Sequence, residues 1–82
     1  MLKVLDTVKI REVVFTVGMS ADEVVYYSRK NFIEPISAAQ VGTDENGLVV
    51  EWKYPGDVTF TFKRTSVNGA ISYRIAKIED IS

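Results

Sequence analysis

Neither cysteine nor histidine occurs among the 82 residues. Without thiols there are no disulfides and no thiolate chemistry, which argues against a secreted mini-protein held together by bridges. Without imidazole, Ser-His-Asp and Cys-His nucleophilic arrangements, imidazole general bases and the usual zinc and haem ligand sets are excluded. No apolar run approaches the ~20 residues that a membrane-spanning helix requires. Lys3 and Asp6 interrupt the first apolar stretch, so no signal-peptide core is expected there, and the expected location is the cytoplasm. The net charge of −1 shows no excess of either sign, so charge alone selects neither nucleic acid nor a membrane surface as a partner. The length and a hydrophobic share of 46% fit one domain over residues 1–82, with a core thin enough that self-association would help it.

What the chain has in quantity is alternation. Leu48 to Tyr54, Val58 to Ser66 and Ala70 to Ile78 are rich in Val, Ile, Thr, Phe, Tyr and Trp, and Pro55-Gly56-Asp57 and Asn68-Gly69 separate them. Period-two patterning bounded by turn residues predicts an antiparallel meander. A two-residue turn at Asn68 and Gly69 pairs Phe62 with Ile75, Arg64 with Tyr73, Ser66 with Ile71, Lys63 with Arg74 and Thr61 with Ala76. A three-residue loop at Pro55 to Asp57 sets Trp52 against Phe60 and Val50 against Phe62 and keeps the apolar faces matched. One face then carries Val50, Trp52, Tyr54, Phe60, Phe62, Ile71, Tyr73 and Ile75, and the other Glu51, Lys53, Thr59, Thr61, Lys63, Thr65, Ser72 and Arg74.

Ahead of the meander, Leu2 to Val17 is dense in β-branched residues, and its alternation changes phase at Arg11 and Glu12. Either one bent strand with a bulge or two short consecutive strands would explain that switch. Ser20 and Glu23 have capping-box spacing, so a helix begins there. Ala21, Val24, Val25, Ser28 and Phe32 share one face, Tyr26 points away, and Pro35 stops the helix around Phe32 or Ile33. Ile36 to Thr43 reads as a further strand. A turn at Asn46 and Gly47 would set Val41 against Trp52 and Thr43 against Val50. The tail Glu79-Asp80-Ile81-Ser82 is expected to fray.

The expected fold is therefore α+β, a two-layer sandwich with one helix on a four- to five-stranded antiparallel sheet, in the order β-α-β-β-β-β. That succession resembles the cystatin-like architecture in element order. No inhibitor motif accompanies it, and order by itself implies no activity.

Candidate chemistry is sparse. The adjacent acids Asp22 with Glu23, Asp44 with Glu45, and Glu79 with Asp80 diverge in helix or strand geometry, so no carboxylate pair is expected to converge. Gly18-Met19-Ser20 ahead of the helix lacks the glycine spacing and lysine of a phosphate loop, and capping explains Ser20. No cofactor and no metal is expected. Two surfaces remain. Lys53, Lys63, Arg64, Arg74 and Lys77 are the candidate basic face for anions or a phosphate backbone, with the cross-strand pair Lys63 and Arg74 relieved by Glu51 in the plainer reading. Tyr26, Ala76, Ile78 and Ile81 are interface candidates, the last three as an apolar trace along an open edge strand from Ala70 to Ile78, where a homodimer or another protein would dock. The leading expectation is a small non-catalytic binding module acting through protein contacts, as inhibitor, adaptor or assembly subunit. The alternative is a nucleic-acid-binding domain using the basic face, and the third reading a small acid-base enzyme.

Overall fold

The computed structural model describes residues 1–81. The meander forms as its turns dictate. Strands β5 (Gly47–Tyr54), β6 (Val58–Val67) and β7 (Ala70–Asp80) run antiparallel. Gly56 and Asp57 take φ of 91° and 62°, and Asn68 and Gly69 take 52° and 79°, the left-handed geometry these loops demand. Trp52 lies opposite Phe60, Val50 opposite Phe62, Phe62 opposite Ile75, Lys63 opposite Arg74 and Arg64 opposite Tyr73.

Within the meander the register departs from strict alternation once. Thr61 pairs with Lys77 rather than with Ala76, because β7 carries an extra residue between the Phe62–Ile75 and Thr61–Lys77 pairs. This bulge at Ala76 reverses the facing of everything after it. Ile78 therefore enters the core opposite Phe60 and is fully buried, not exposed on an apolar outer trace. Nor does the tail fray after Ile78. Strand β7 continues to Asp80, held by β1 (Lys3–Leu5), with Lys3 opposite Asp80 and Leu5 opposite Ile78. Ile81 N–H donates to the Asp57 carbonyl at 3.1 Å, and Ser82, the end of that tail, lies outside the described residues.

Of the two readings of the phase change near Arg11, two short consecutive strands is the one realised, and they meet in a chain reversal. Strands β2 (Thr7–Ile10) and β3 (Val13–Thr16) form a hairpin across Arg11 and Glu12, both at positive φ. A two-residue turn pairs Val8 with Phe15 and Ile10 with Val13, an even position with an odd one each time. The switch in apolar parity is what such a turn produces. The Arg11 guanidinium donates to the Phe32 carbonyl at 2.7 Å and ties this turn to the end of the helix.

Helix α1 (Ala21–Lys30) starts at a complete capping box, with the Ser20 hydroxyl accepting from Glu23 N–H and the Glu23 carboxylate accepting from Ser20 N–H. It ends earlier than Phe32 or Ile33. Asn31 caps it, and Phe32 adopts φ 56°, the left-handed position that commonly closes a helix. Phe32 is thereby thrown outward, 83% exposed, and Ile33 turns into the core in its place.

Strand β4 (Ser37–Asp44) completes the five-stranded sheet, whose order is β1-β7-β6-β5-β4. Its turn is at Glu45 and Asn46, one residue earlier than Asn46-Gly47, because the Asp44 carboxylate accepts the Asn46 N–H at 2.9 Å and begins the reversal at Asp44. Ala38 consequently faces Trp52 and Gln40 faces Val50. A register shift at Val41 then sets Gly42 against Val49 and Thr43 against Leu48.

The second layer is shared. Val24 and Ser28 of α1 lie over the sheet, and the β2–β3 hairpin adds Val13 and Phe15, whose ring centroid is 5.3 Å from that of Phe60 and 6.4 Å from that of Tyr54. The helix does not roof the apolar face alone. Trp52 and Tyr73 stay half-buried at the border of the covered region.

Candidate functional site

Lys53, Lys63, Arg64, Arg74 and Lys77 do not make one basic surface. Arg64 follows Lys63 directly in β6, so its side chain leaves the opposite side of the sheet, the side that carries Phe62 and Tyr73. Lys63 lies 3.9 Å from Asp44, so Asp44 rather than Glu51 relieves the Lys63–Arg74 juxtaposition. The Arg74 guanidinium donates to the Gly18 carbonyl at 2.9 Å, and Lys77 pairs with Glu79 at 3.2 Å. Lys53 is exposed beside Ser37 and Thr59. The outer face thus mixes Lys53, Lys63, Arg74 and Lys77 with Asp44, Glu51 and Glu79, a pattern that offers little attraction to a polyanion.

At the centre of that face Thr59 and Thr61 are buried although they point away from the helix. Their cross-strand neighbours, Lys53 and Glu79 for Thr59 and Glu51 and Lys77 for Thr61, have long stems of the kind that cover small residues. Among the described residues the Thr61 hydroxyl finds no hydrogen-bond partner. Removing an unsatisfied buried hydroxyl at constant shape relieves its desolvation penalty. Thr61→Val is expected to raise stability by ~0.5–2 kcal/mol, read as an upward shift of the urea midpoint with unchanged m-value.

The interface candidates are likewise separated. Tyr26 is exposed, its ring 5.2 Å from that of Tyr27 and 5.8 Å from the Lys30 ammonium. Ala76 and Ile81 are exposed, but Ile78 between them is core. Nor is β7 an open edge. Beyond β1, the segment before α1 pairs with it: Gly18 N–H donates to the Ile75 carbonyl at 2.7 Å, and Ile75 N–H donates to the Met19 carbonyl at 2.9 Å.

One apolar concavity was not anticipated from any motif. A cleft of about 320 Å³ opens between α1, the loop after it, and strands β4 and β5. Its walls are Val25, Ile33, Pro35, Ala38 and Trp52, with Arg29 and Glu34 as its charged members. Its polar pair is Ser28 and Tyr54, whose hydroxyls lie 3.4 Å apart and are both buried. The run Ser37-Ala38-Ala39, small and poor in strand propensity, was the one sequence trace of this opening, since it leaves Trp52 without a bulky neighbour on that side. The hollow on the opposite flank of α1 is more polar, bordered by Glu12, Glu23, Lys30 and Asn31, and the Glu23 carboxylate there is engaged at Ser20.

No protein-family model, no curated protein and no solved structure matches this chain. Among the described residues no group of acids is placed to hold a metal ion, and no helix is long and apolar enough to cross a membrane.

Burial raises the Tyr54 hydroxyl above the usual tyrosine pKa, partly offset by its bond to Ser28. With the folded-state pKa raised, the unfolded chain loses this proton first as pH rises. Tyr54 stability is thus intact below the ordinary value of about 10 and falls from there up to the folded-state pKa. Tyr54→Phe is expected to flatten that part of the alkaline limb in denaturation measured against pH, relative to the native chain.

Proposed function

We propose that this protein is a small non-catalytic binding module that acts through contacts with another protein, in the role of an inhibitor, adaptor or assembly subunit. The observation that carries the reading is the incomplete roof. Helix and hairpin cover the sheet around Phe60, Phe62, Ile75 and Ile78, whereas the β4–β5 side keeps an apolar cleft beside a half-buried Trp52. An apolar concavity with one large aromatic at its border is the usual setting for the few residues that dominate a protein interface. A cysteine-free chain of this composition also suits the cytoplasm. The nucleic-acid reading ranks below it because the outer cations are interleaved with acids and Arg64 lies on the other face.

Affinity recovery of the tagged chain from its native cell tests this, with Ala38→Arg as the comparison. Ala38 is exposed on β4, so the change fills the cleft without disturbing the core. A stoichiometric partner kept by the native chain and lost by Ala38→Arg, with unchanged circular dichroism, is the expected result. Recovery of no stoichiometric partner, or of one indifferent to Ala38→Arg, would refute it. A homodimer is among the outcomes, identified when the recovered protein is a differently tagged copy.

A further inference from the structure

We infer that the free edge of β4 accepts an extended strand from another protein, one with an apolar residue near its centre and basic residues at its ends. This rests on the binding-module reading and names how and what it binds. Among the described residues strand β4 pairs only with β5, so the N–H and C=O groups along its other side have no strand neighbour there. The devices that usually protect an edge are nearly missing. Ser37 to Thr43 contains no charge and no proline, and every one of those residues is exposed. Only the irregularity at Val41 interrupts the edge, leaving Ser37–Gln40 as its regular run. The opposite edge, β1, spans just Lys3–Leu5 and carries a lysine.

Charge decides between occupants. From Glu34 to Glu45 the chain contains Glu34, Asp44 and Glu45 and neither lysine nor arginine. A second copy paired antiparallel about Ala39 would bring Glu34 of each chain towards Asp44 and Glu45 of the other, and like charges across strands repel. A strand ending in lysine or arginine meets the same acids favourably. Asp44 already shares Lys63 at 3.9 Å, which leaves Glu34 and Glu45 as the main attractors.

Shape supplies the centre. Ala38 faces Trp52 on the cleft side of the sheet. A residue set across from Ala38 in an added strand would stand ~4.5–5.5 Å from it, with its side chain on that same face. The cleft of about 320 Å³ is large enough to take it. Main-chain bonds along Ser37–Gln40 then give affinity and the cleft gives selectivity, as in other strand-addition complexes.

The test is selection from a random dodecapeptide display library, long enough to span from Glu34 to Glu45, on the immobilised full chain, followed by titration of the selected sequence as a synthetic peptide. The expected motif alternates, with an apolar centre and lysine or arginine near both ends. Binding should change Trp52 fluorescence and move the amide resonances of residues 37–43. Methylating alternate backbone nitrogens of the peptide should abolish it in one of the two frames. The protein double variant Glu34→Lys, Glu45→Lys should weaken it several-fold at low salt. No enriched motif, binding that survives methylation in both frames, resonance changes confined to the outer face, or a β4-dependent homodimer in sedimentation would each overturn the proposal. If these peptides fail while a cellular partner is still lost on Ala38→Arg, the edge inference falls and the binding-module reading stands.

Discussion

Phe60→Ala is expected to lower the thermal midpoint by roughly 15 °C or more, or to leave the chain unfolded at room temperature. Phe60 is fully buried, and its ring lies 5.3 Å from Phe15, 5.0 Å from Tyr54 and 6.3 Å from Phe62. It therefore joins the hairpin to the sheet as well as β5 to β6. Truncating a buried phenylalanine costs about 3–5 kcal/mol through lost burial and the cavity left behind. A chain of 82 residues has roughly 4–12 kcal/mol in total. The loss is thus of the same order as the whole stability. Phe32→Ala is the control. That ring is exposed, and alanine keeps the same backbone requirement at φ 56°, so the change should stay within about 0.5 kcal/mol. Equal midpoints for the two variants would contradict the assignment of Phe60 to the core.

The second large effect separates neighbours in β7. Ile78→Lys should abolish cooperative unfolding, whereas Ala76→Lys should be nearly neutral, both read by urea denaturation followed by circular dichroism. Uninterrupted alternation would place residues 76 and 78 on the same face, making both lysines harmless. The bulge separates them: Ala76 is exposed, and Ile78 is buried opposite Phe60. An ammonium forced into that position loses its hydration with no carboxylate in the core cluster to meet it, at a penalty of several kcal/mol. Tolerance of Ile78→Lys would mean that the register shift between Thr61 and Phe62 is absent.

The candidate site was less legible than the fold. Side-chain type marked Trp52 as apolar and Ala38 as unremarkable, and nothing in either residue indicates that the helix stops short of covering them. That depends on α1 ending at Lys30 and on the hairpin taking the ground beside Phe60, which are consequences of packing. The basic face failed as a surface for a related reason. Composition counted the cations, but whether each meets Asp44, Glu79 or the Gly18 carbonyl depends on segments distant in the chain or on the bulge.

Turn chemistry and alternation by themselves determined the meander register around Trp52, Phe60, Phe62 and Ile75, and the Ser20–Glu23 pair determined where the helix begins, because those outcomes are settled within a few residues. Only the tertiary structure decided the Arg11–Glu12 reversal, the bulge at Ala76, the outward Phe32 and the pairing of β1 with the end of β7. Each of these is a local conformation with no strong preference of its own, stabilised by what it lets distant residues bury. Ile78 reaches the core only through the bulge, and Phe15 reaches Phe60 only through the hairpin. Local pattern can fix a facing only until a distant contact makes a different one more favourable.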